Sequence, residues 1–379
     1  MNIAILGFGT VGYGVYELAQ KTDDITVQYV LDIKKHDDIT AKSVTDINEI
    51  LNDNEVETVV ELIGGKHPAY DFIKSALQSG KNVITANKLV ICEYYEELTL
   101  LAKEMGVALR YTAAVGGGIP WLTNLERTVR TSSVYKIEGI LNGTTNYILD
   151  AMHKNGTAFD VALKEAQRLG FAEADPSSDI DGLDTKRKIG LSSNIAFGVV
   201  TNPDEIDTIG ISDITKEIIE DVESLGYVSR LIATSKNDNG NISCYVEPTL
   251  VQKTDAFATV DENFNRIEFN AENVGIGSYH GYGAGRYPTA YTVINDCIDV
   301  ANGNKKTYNS KADKTSVNNT LDMHAYYCFI EDDDAWLDSK TYKKTNIGII
   351  TKPTKVREMH EFYNRMKREN KKVFVAGIK

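Results

Sequence analysis

Asn2-Ile3-Ala4-Ile5-Leu6-Gly7-Phe8-Gly9-Thr10-Val11-Gly12 is the stretch on which the fold turns. A short apolar run leads into glycines at GxGxxG spacing, and a helical run follows through Val15 and Leu18. Each glycine has a physical reason to be there. A tight turn must leave the strand, the backbone must approach a pyrophosphate closely, and the helix must pack on the strand without an intervening Cβ. The free N–H groups at the start of that helix, with their partial positive charge, then suit phosphate. Gly7, Gly9, Thr10, Val11 and Gly12 are therefore the expected nucleotide-binding residues. A plain turn docking a helix on a strand can have the same spacing, so the context matters.

That context is an alternation of strands and helices. Residues 26–31, 58–62, 82–85 and 108–111 read as further strands, while Tyr70, Phe72, Ile73, Ala76 and Leu77 recur at helical spacing and stop at Gly80. Such alternation predicts βαβ units and a Rossmann-type, doubly wound parallel sheet, an α/β class. Asp32 stands 20 residues after Gly12, at the end of the second strand. A carboxylate there can bond both ribose hydroxyls and repel a 2′-phosphate, which favours NAD over NADP. Lys34 and Lys35 offer the opposite, since they could neutralise such a phosphate, and a solvated turn aspartate is the plain alternative.

From about residue 133 the rhythm changes. Residues 134–141 and 243–251 read as strands, 160–169 and 184–197 as helices, which predicts an α+β domain. The first of these helices has a start signal in Thr157-x-x-Asp160 and a stop at Gly170. Residues 275–285 read as a glycine-rich loop, 289–300 as a helix and 302–320 as a linker. Beyond it, residues 321–379 carry 12 Lys/Arg and 9 Asp/Glu, a net of +3 against −16 for the rest, and suggest a separate module.

Composition narrows the function. The 379 residues are 42% hydrophobic and carry a net charge of −13, which argues against nucleic acid or an anionic membrane as the main partner. No apolar run is long enough to span a bilayer, and no basic leader precedes Asn2, so a cytoplasmic location is expected. Cys92, Cys244, Cys297 and Cys328 lie far apart, without CxxC or zinc spacing. His36, His67, His153, His280, His324 and His360 show no triad or metal spacing, and Trp121 reads as core.

Residues 170–184 pack five carboxylates into 15 positions, and Lys186-Arg187-Lys188 follows. A charged loop beside a charged helix is ordinarily solvated. Asp184 and Lys188, however, stand at i,i+4 on a face shared with Leu191 and Ser192. Partly buried, such a carboxylate could grip an ammonium while the lysine exchanges a proton with an alcohol oxygen.

At this point the motifs converge on a family. Gly7–Gly12, Glu61-Leu62-Ile63-Gly64-Gly65, Thr85-Ala86-Asn87-Lys88, Ala114-Val115-Gly116-Gly117-Gly118-Ile119-Pro120, Asn142-Gly143-Thr144-Thr145-Asn146-Tyr147-Ile148-Leu149, the acid-rich segment through Lys188 and Gly283-Ala284-Gly285-Arg286-Tyr287-Pro288-Thr289-Ala290 closely resemble homoserine dehydrogenase. The resemblance covers about residues 1–300, in the family's order.

The resemblance implies reversible, NAD(P)-dependent hydride transfer between L-homoserine and L-aspartate 4-semialdehyde. Lys188 matches the proton donor to the carbonyl oxygen, Asp184 and Glu173 match carboxylates holding the substrate, and Asp179 matches a further acid. Lys88 matches a second lysine near nicotinamide and substrate, Gly143 and Thr144 match contacts to the amino acid, and Gly64 and Gly283 border the cofactor. It also implies a homodimer and three regions: residues 1–130 completed by 283–305 for the dinucleotide, 131–282 for substrate and dimerisation, and 321–379 as a short ACT-like remnant.

Two departures stand out. Thr112 replaces a glutamate common in the family at a loop whose carbonyls, here those of Thr112, Val115, Gly117 and Ile119, can hold sodium. Asp333-Asp334-Ala335-Trp336 replaces the Pro-Gly turn of an ACT module, so threonine binding there is not expected. Another amino-acid semialdehyde reductase and a non-catalytic nucleotide sensor are the alternatives; a sensor would be expected to have lost Lys188 or Asp184.

Overall fold

The computed structural model describes residues 1–305 and 313–379. Packing divides the chain into two compact units. The first comprises Met1–Val129, Gly198–Val200 and the described part of Tyr282–Asp313; the second comprises Arg130–Phe197, Thr201–Gly281 and Lys314–Lys379.

In the first unit, strands β1 (Asn2–Leu6), β2 (Thr26–Leu31), β3 (Lys42–Val44), β4 (Thr58–Glu61), β5 (Asn82–Thr85) and β6 (Leu109–Arg110) form one sheet in the order β3-β2-β1-β4-β5-β6. Every pair in it is parallel. That order reverses between β1 and β4, the switch point where doubly wound sheets bind ligands. The strands are nearly continuous apolar runs because helices cover both faces. Ile3, Ile5, Val60 and Ile84 pack with Val15 and with Val293 and Cys297 of the helix Arg286–Ala301. The short edge strand β3 carried too little pattern to be expected. Helix Arg286–Ala301 is anchored by an ion pair, Arg110 Nε to Asp296 Oδ1 at 2.9 Å, with both side chains almost fully buried.

The second unit is built on a ten-stranded sheet. Its strands are β7 (Val134–Ile140), β8 (Tyr227–Asp238), β9 (Asn241–Gln252), β10 (Phe264–Ala271), β11 (Gly275–Tyr282), β12 (Tyr326–Ile330), β13 (Thr341–Lys344), β14 (Ile349–Thr351) and β15 (Val373–Ile378), with Asp207–Thr208 paired along β9. The order is β11-β10-β7-β8-β9-β15-β12-β14-β13. Residues 275–285 were expected as a loop; instead β11 occupies 275–282 as an edge strand. The glycines hid it. Gly277 leaves room for the Phe269 ring on β10, whose Cζ a Cβ there would meet at 2.3 Å. The β8–β9 hairpin turns on Asn239-Gly240, with φ of 52° and 91°, a pair of residues suited to a two-residue turn with positive φ at both positions.

The C-terminal segment lies within this second unit. Its order is strand–helix–strand–strand–helix–strand, with helices Ala335–Lys340 and Val356–Arg368, which completes a split βαβ arrangement. Helix Ala335–Lys340 and β13 are additions to the elements legible in the sequence. Asp334, in the run that replaces the Pro-Gly turn, caps that helix by accepting from the N–H groups of Trp336 and Leu337. The segment joins the rest through β15, parallel to β9 at Thr249 and Leu250. Part of the linker expected at 302–320, residues 306–312, lies outside the described residues.

Candidate active site

The glycine turn is as crowded as its spacing implies. Gly7 has φ +90°, and a Cβ on it would lie 2.9 Å from the Ile63 backbone; on Gly12 it would lie 2.0 Å from the Gly7 carbonyl oxygen. Helix Thr10–Ala19 starts at Gly9 without a side-chain cap, and Gly9 and Thr10 are exposed while Val11 is half-buried. Its first N–H groups are thus left to an anion. Asp32 accepts from the Phe8 N–H at 2.7 Å through one oxygen and from the Lys34 N–H at 3.2 Å through the other. It ties β2 to the turn.

Across the switch point, Glu61 organises the neighbouring loops. Fully buried, it accepts from the Ile63 N–H at 2.8 Å and from Thr85 Oγ1 at 2.7 Å. Burial pushes its carboxyl above the ordinary range, against those hydrogen bonds. Asn87 caps the helix Lys88–Glu93 and donates to the Gly65 carbonyl at 2.8 Å, which joins the exposed Gly64-Gly65 turn to Lys88. Glu61 lies in a quoted motif, but its organising role was not read from the sequence.

In the second unit, Lys188 and Asp184 lie one turn apart on helix Leu183–Phe197, Nζ 2.8 Å from Oδ2, with side chains 8% and 7% exposed. They are not solvated surface. Lys188 Nζ also donates to the Leu141 carbonyl at 2.7 Å, which leaves a third N–H for a substrate oxygen. Asn142 donates to Asp179 Oδ1 at 2.7 Å and to Asp184 Oδ2 at 2.9 Å. Burial, then the charge of Asp184, raises the Asp179 carboxyl above its usual range, and Asn142 opposes this. Thr144 is buried and its hydroxyl donates to the Phe171 carbonyl. Gly143 leaves no room for a side chain, since a Cβ would meet the Asn263 carbonyl oxygen at 2.5 Å. A buried lysine can give a proton to an oxygen as the ammonium or take one as the amine, and the two carboxylates beside it can hold a substrate ammonium.

Comparison with known proteins gives this chemistry its setting. The chain matches the family model of homoserine dehydrogenase over residues 120–298, and that of the homoserine dehydrogenase NAD-binding domain over residues 7–112. It is 35% identical to homoserine dehydrogenase of Lactococcus lactis over 357 residues, 88% of this chain and 83% of that one. The chain belongs to the homoserine dehydrogenase family. A homoserine dehydrogenase of Bacillus subtilis is 37% identical over 79% of this chain and 72% of its own. Among solved structures, homoserine dehydrogenase from Thiobacillus denitrificans superposes with a TM-score of 0.90 at 29% identity, covering 100% of this chain and 98% of that one. A hyperthermophilic archaeal homoserine dehydrogenase, solved in complex with NADPH, shares the fold at a TM-score of 0.69 and 24% identity. Homoserine dehydrogenases are NAD(P)-dependent oxidoreductases acting on a CH–OH group.

Glu173 is exposed, and no described contact joins it to the Lys188 cluster. Gly283 is buried against the Gly117 turn, where a Cβ on Gly117 would come within 2.6 Å of it. Three of the four loop carbonyls are already partnered: Gly117 O accepts from Thr292 Oγ1 at 2.6 Å, Ile119 O from the Trp121 N–H at 2.7 Å and Thr112 O from the Val115 N–H at 3.4 Å. Asp296, the carboxylate beside it, is held by Arg110 and by Thr112 Oγ1 at 2.6 Å. Among the described residues no group of His, Cys, Asp and Glu could hold a metal, and no helix is long and apolar enough to cross a membrane.

Proposed function

We propose that the family's interconversion of L-homoserine and L-aspartate 4-semialdehyde runs here with Lys188 as the proton-transfer group. The buried Lys188–Asp184 pair carries this reading. When bound, the nicotinamide exchanges a hydride with the substrate carbon. The chain's own work is to position the substrate and move the proton. In the reducing direction the Lys188 ammonium gives its proton to the carbonyl oxygen as it becomes an alcohol; in oxidation the neutral amine takes the hydroxyl proton. A cation at that oxygen also stabilises its developing negative charge where water is scarce.

Asp184 and Asp179 would hold the substrate ammonium, with Gly143 and Thr144 beside it, and Glu173 would have to swing in from solvent. Lys88, next to the Gly64-Gly65 turn, would stand by the nicotinamide. Gly7, Gly9, Thr10, Val11, Gly12 and Gly283 would line the cofactor, with Asp32 favouring NAD. We assign residues 1–130 with 283–305 to the dinucleotide, 131–282 to substrate and dimerisation, and 321–379 to a C-terminal module, in a cytoplasmic homodimer. Val274, just before the edge strand β11, and Ile276 on it are 61% and 68% exposed, apolar area that a second copy would cover. A sodium ion at Thr112, Val115, Gly117 and Ile119 would share the Thr112, Gly117 and Ile119 carbonyls with existing donors, and Asp296, the carboxylate described beside them, is already held by Arg110 and Thr112. Sodium titration of activity tests it, and no step runs through the ion.

The deciding assay follows nicotinamide absorbance with aspartate semialdehyde, giving NADH and NADPH in parallel to the parent and to Lys188→Ala. Turnover should drop by roughly 10²–10⁴ in the variant, with cofactor affinity nearly unchanged. A parent without activity would favour a nucleotide sensor. A variant within about three-fold of the parent would remove Lys188 from the mechanism.

A further inference from the structure

Asn142 sits between β7 and helix Gly143–Asn155 and is that helix's N-cap, its Oδ1 accepting from the Thr145 N–H at 2.9 Å. Ser, Thr, Asp and Asn all make good caps. The cap alone therefore does not explain why asparagine stands here. With Oδ1 committed, the amide nitrogen must point the other way, where its two N–H groups meet Asp179 Oδ1 at 2.7 Å and Asp184 Oδ2 at 2.9 Å. The residue is 5% exposed, and all three of these bonds are made without adding a charge.

Asp184 Oδ2 is also the oxygen that faces Lys188 Nζ at 2.8 Å. Asn142 and Lys188 thus share one acceptor. The groups facing Lys188 are Asp184 on its own helix, the Leu141 carbonyl at the end of β7 and, through Asn142, Asp179 on the short helix Ser177–Ile180. Serine could cap the helix but could not bridge two carboxylates. Aspartate could cap it too, but would set a third carboxylate against the other two.

We propose that Asn142 is a positioning residue for the reaction: its amide fork fixes Asp179 and Asp184 in register and limits the hold of Asp184 on the Lys188 proton. This deepens the reading of Lys188 and Asp184 as the working pair and rests on it. Removing the fork leaves Asp184 a stronger partner for the ammonium, so the amine needed for oxidation forms only at higher pH. Adding a charge at 142 does the same more strongly.

The test uses Asn142→Ser and Asn142→Asp, both of which keep a capping oxygen, beside Asp184→Asn, in the full chain. The pH profile of kcat/KM for homoserine oxidation should move alkaline by about one pH unit in Asn142→Asp and by less in Asn142→Ser, the scale of an added or strengthened negative partner. The kcat should fall about ten-fold or more at neutral pH, with KM for NAD unchanged. If Asn142→Asp does not fold, Asn142→Ser carries the test alone. Parental kcat and pH profile in a folded Asn142→Ser would overturn the inference and leave Asn142 a cap. If Asp184→Asn shifts the profile while the Asn142 variants do not, the pair stands and the fork fails. If Asp184→Asn also behaves as the parent, the reading of the pair itself fails.

Discussion

Gly12 lies so close to Gly7 that a Cβ on Gly12 would stand 2.0 Å from the Gly7 carbonyl oxygen. The start of helix Thr10–Ala19 is jammed onto the end of β1, and backbone rather than a flexible side chain fills the space. Gly12→Ala should therefore push the turn out of shape, an overpacking cost of about 1–3 kcal/mol. The expected reading is weaker NAD binding by fluorescence titration, with homoserine KM at saturating cofactor little changed. Parental NAD affinity would show that the turn can yield.

Gly210 makes a similar contact with the backbone of the acid-rich segment. A Cβ there would lie 2.1 Å from the Ile180 carbonyl oxygen, and the Ile211 N–H donates to that same oxygen at 2.7 Å. Ile180 follows Asp179 directly, so Gly210→Ala should displace Asp179 and lower kcat about ten-fold or more, since small misplacements near the chemistry are costly. NAD affinity should hold. Steady-state kinetics with each substrate varied in turn separates the two effects.

Asp32 already accepts two backbone N–H groups, and its remaining lone pairs would meet a ribose hydroxyl well but a 2′-phosphate badly. NADH should outperform NADPH in kcat/KM, and Asp32→Ser should narrow the gap. Equal or better efficiency with NADPH in the parent would mean that Lys34 and Lys35 dominate.

Glu247 on β9 accepts from His324 Nε2 at 2.7 Å and His360 Nε2 at 2.8 Å, both from the C-terminal segment. Burial would lift its carboxyl, but the two histidines hold it at about 2, below the ordinary 4.5. A depressed carboxyl contributes its stabilisation above the ordinary value and loses it as pH falls toward the folded one. Glu247→Gln should cost about 1.5–3 kcal/mol at neutral pH, the worth of hydrogen bonds to a charged group. The difference in melting temperature from the parent should close between about pH 4.5 and pH 2. A constant difference across that range would deny Glu247 its charge.

The sequence carries the first unit's plan almost openly. The glycine turn, the apolar strands and Asp32 each have local signals, and parallel strands buried on both faces read as short apolar runs. The second unit is harder to read because its signals are mixed. β11 is disguised by Gly277, whose purpose is to lie beneath Phe269. β10 does alternate, but with Arg266 and Glu268 on its less buried face it resembles a polar segment. At the site, the i,i+4 spacing of Asp184 and Lys188 is plain. Their burial is not, because it depends on β7 and Asn142, more than 40 residues away. Asn142 itself announces only a helix cap.

The placement of β15 has a consequence for how the molecule is made. It lies in the interior of the sheet, with Gly377 paired to Thr249 on one side and to Tyr326 on the other. During synthesis β9 therefore emerges long before β15 exists, and its Thr249–Leu250 end, beyond the pairing with Asp207–Thr208, waits as an open edge, a template for pairing with another chain. Sheet closure is deferred until residues 373–378 have left the ribosome, and such late, distant pairing slows folding. A chain interrupted between β9 and β15 would release a half-sheet with its middle exposed, a species that quality control would meet as an aggregation hazard rather than as a slightly shortened enzyme.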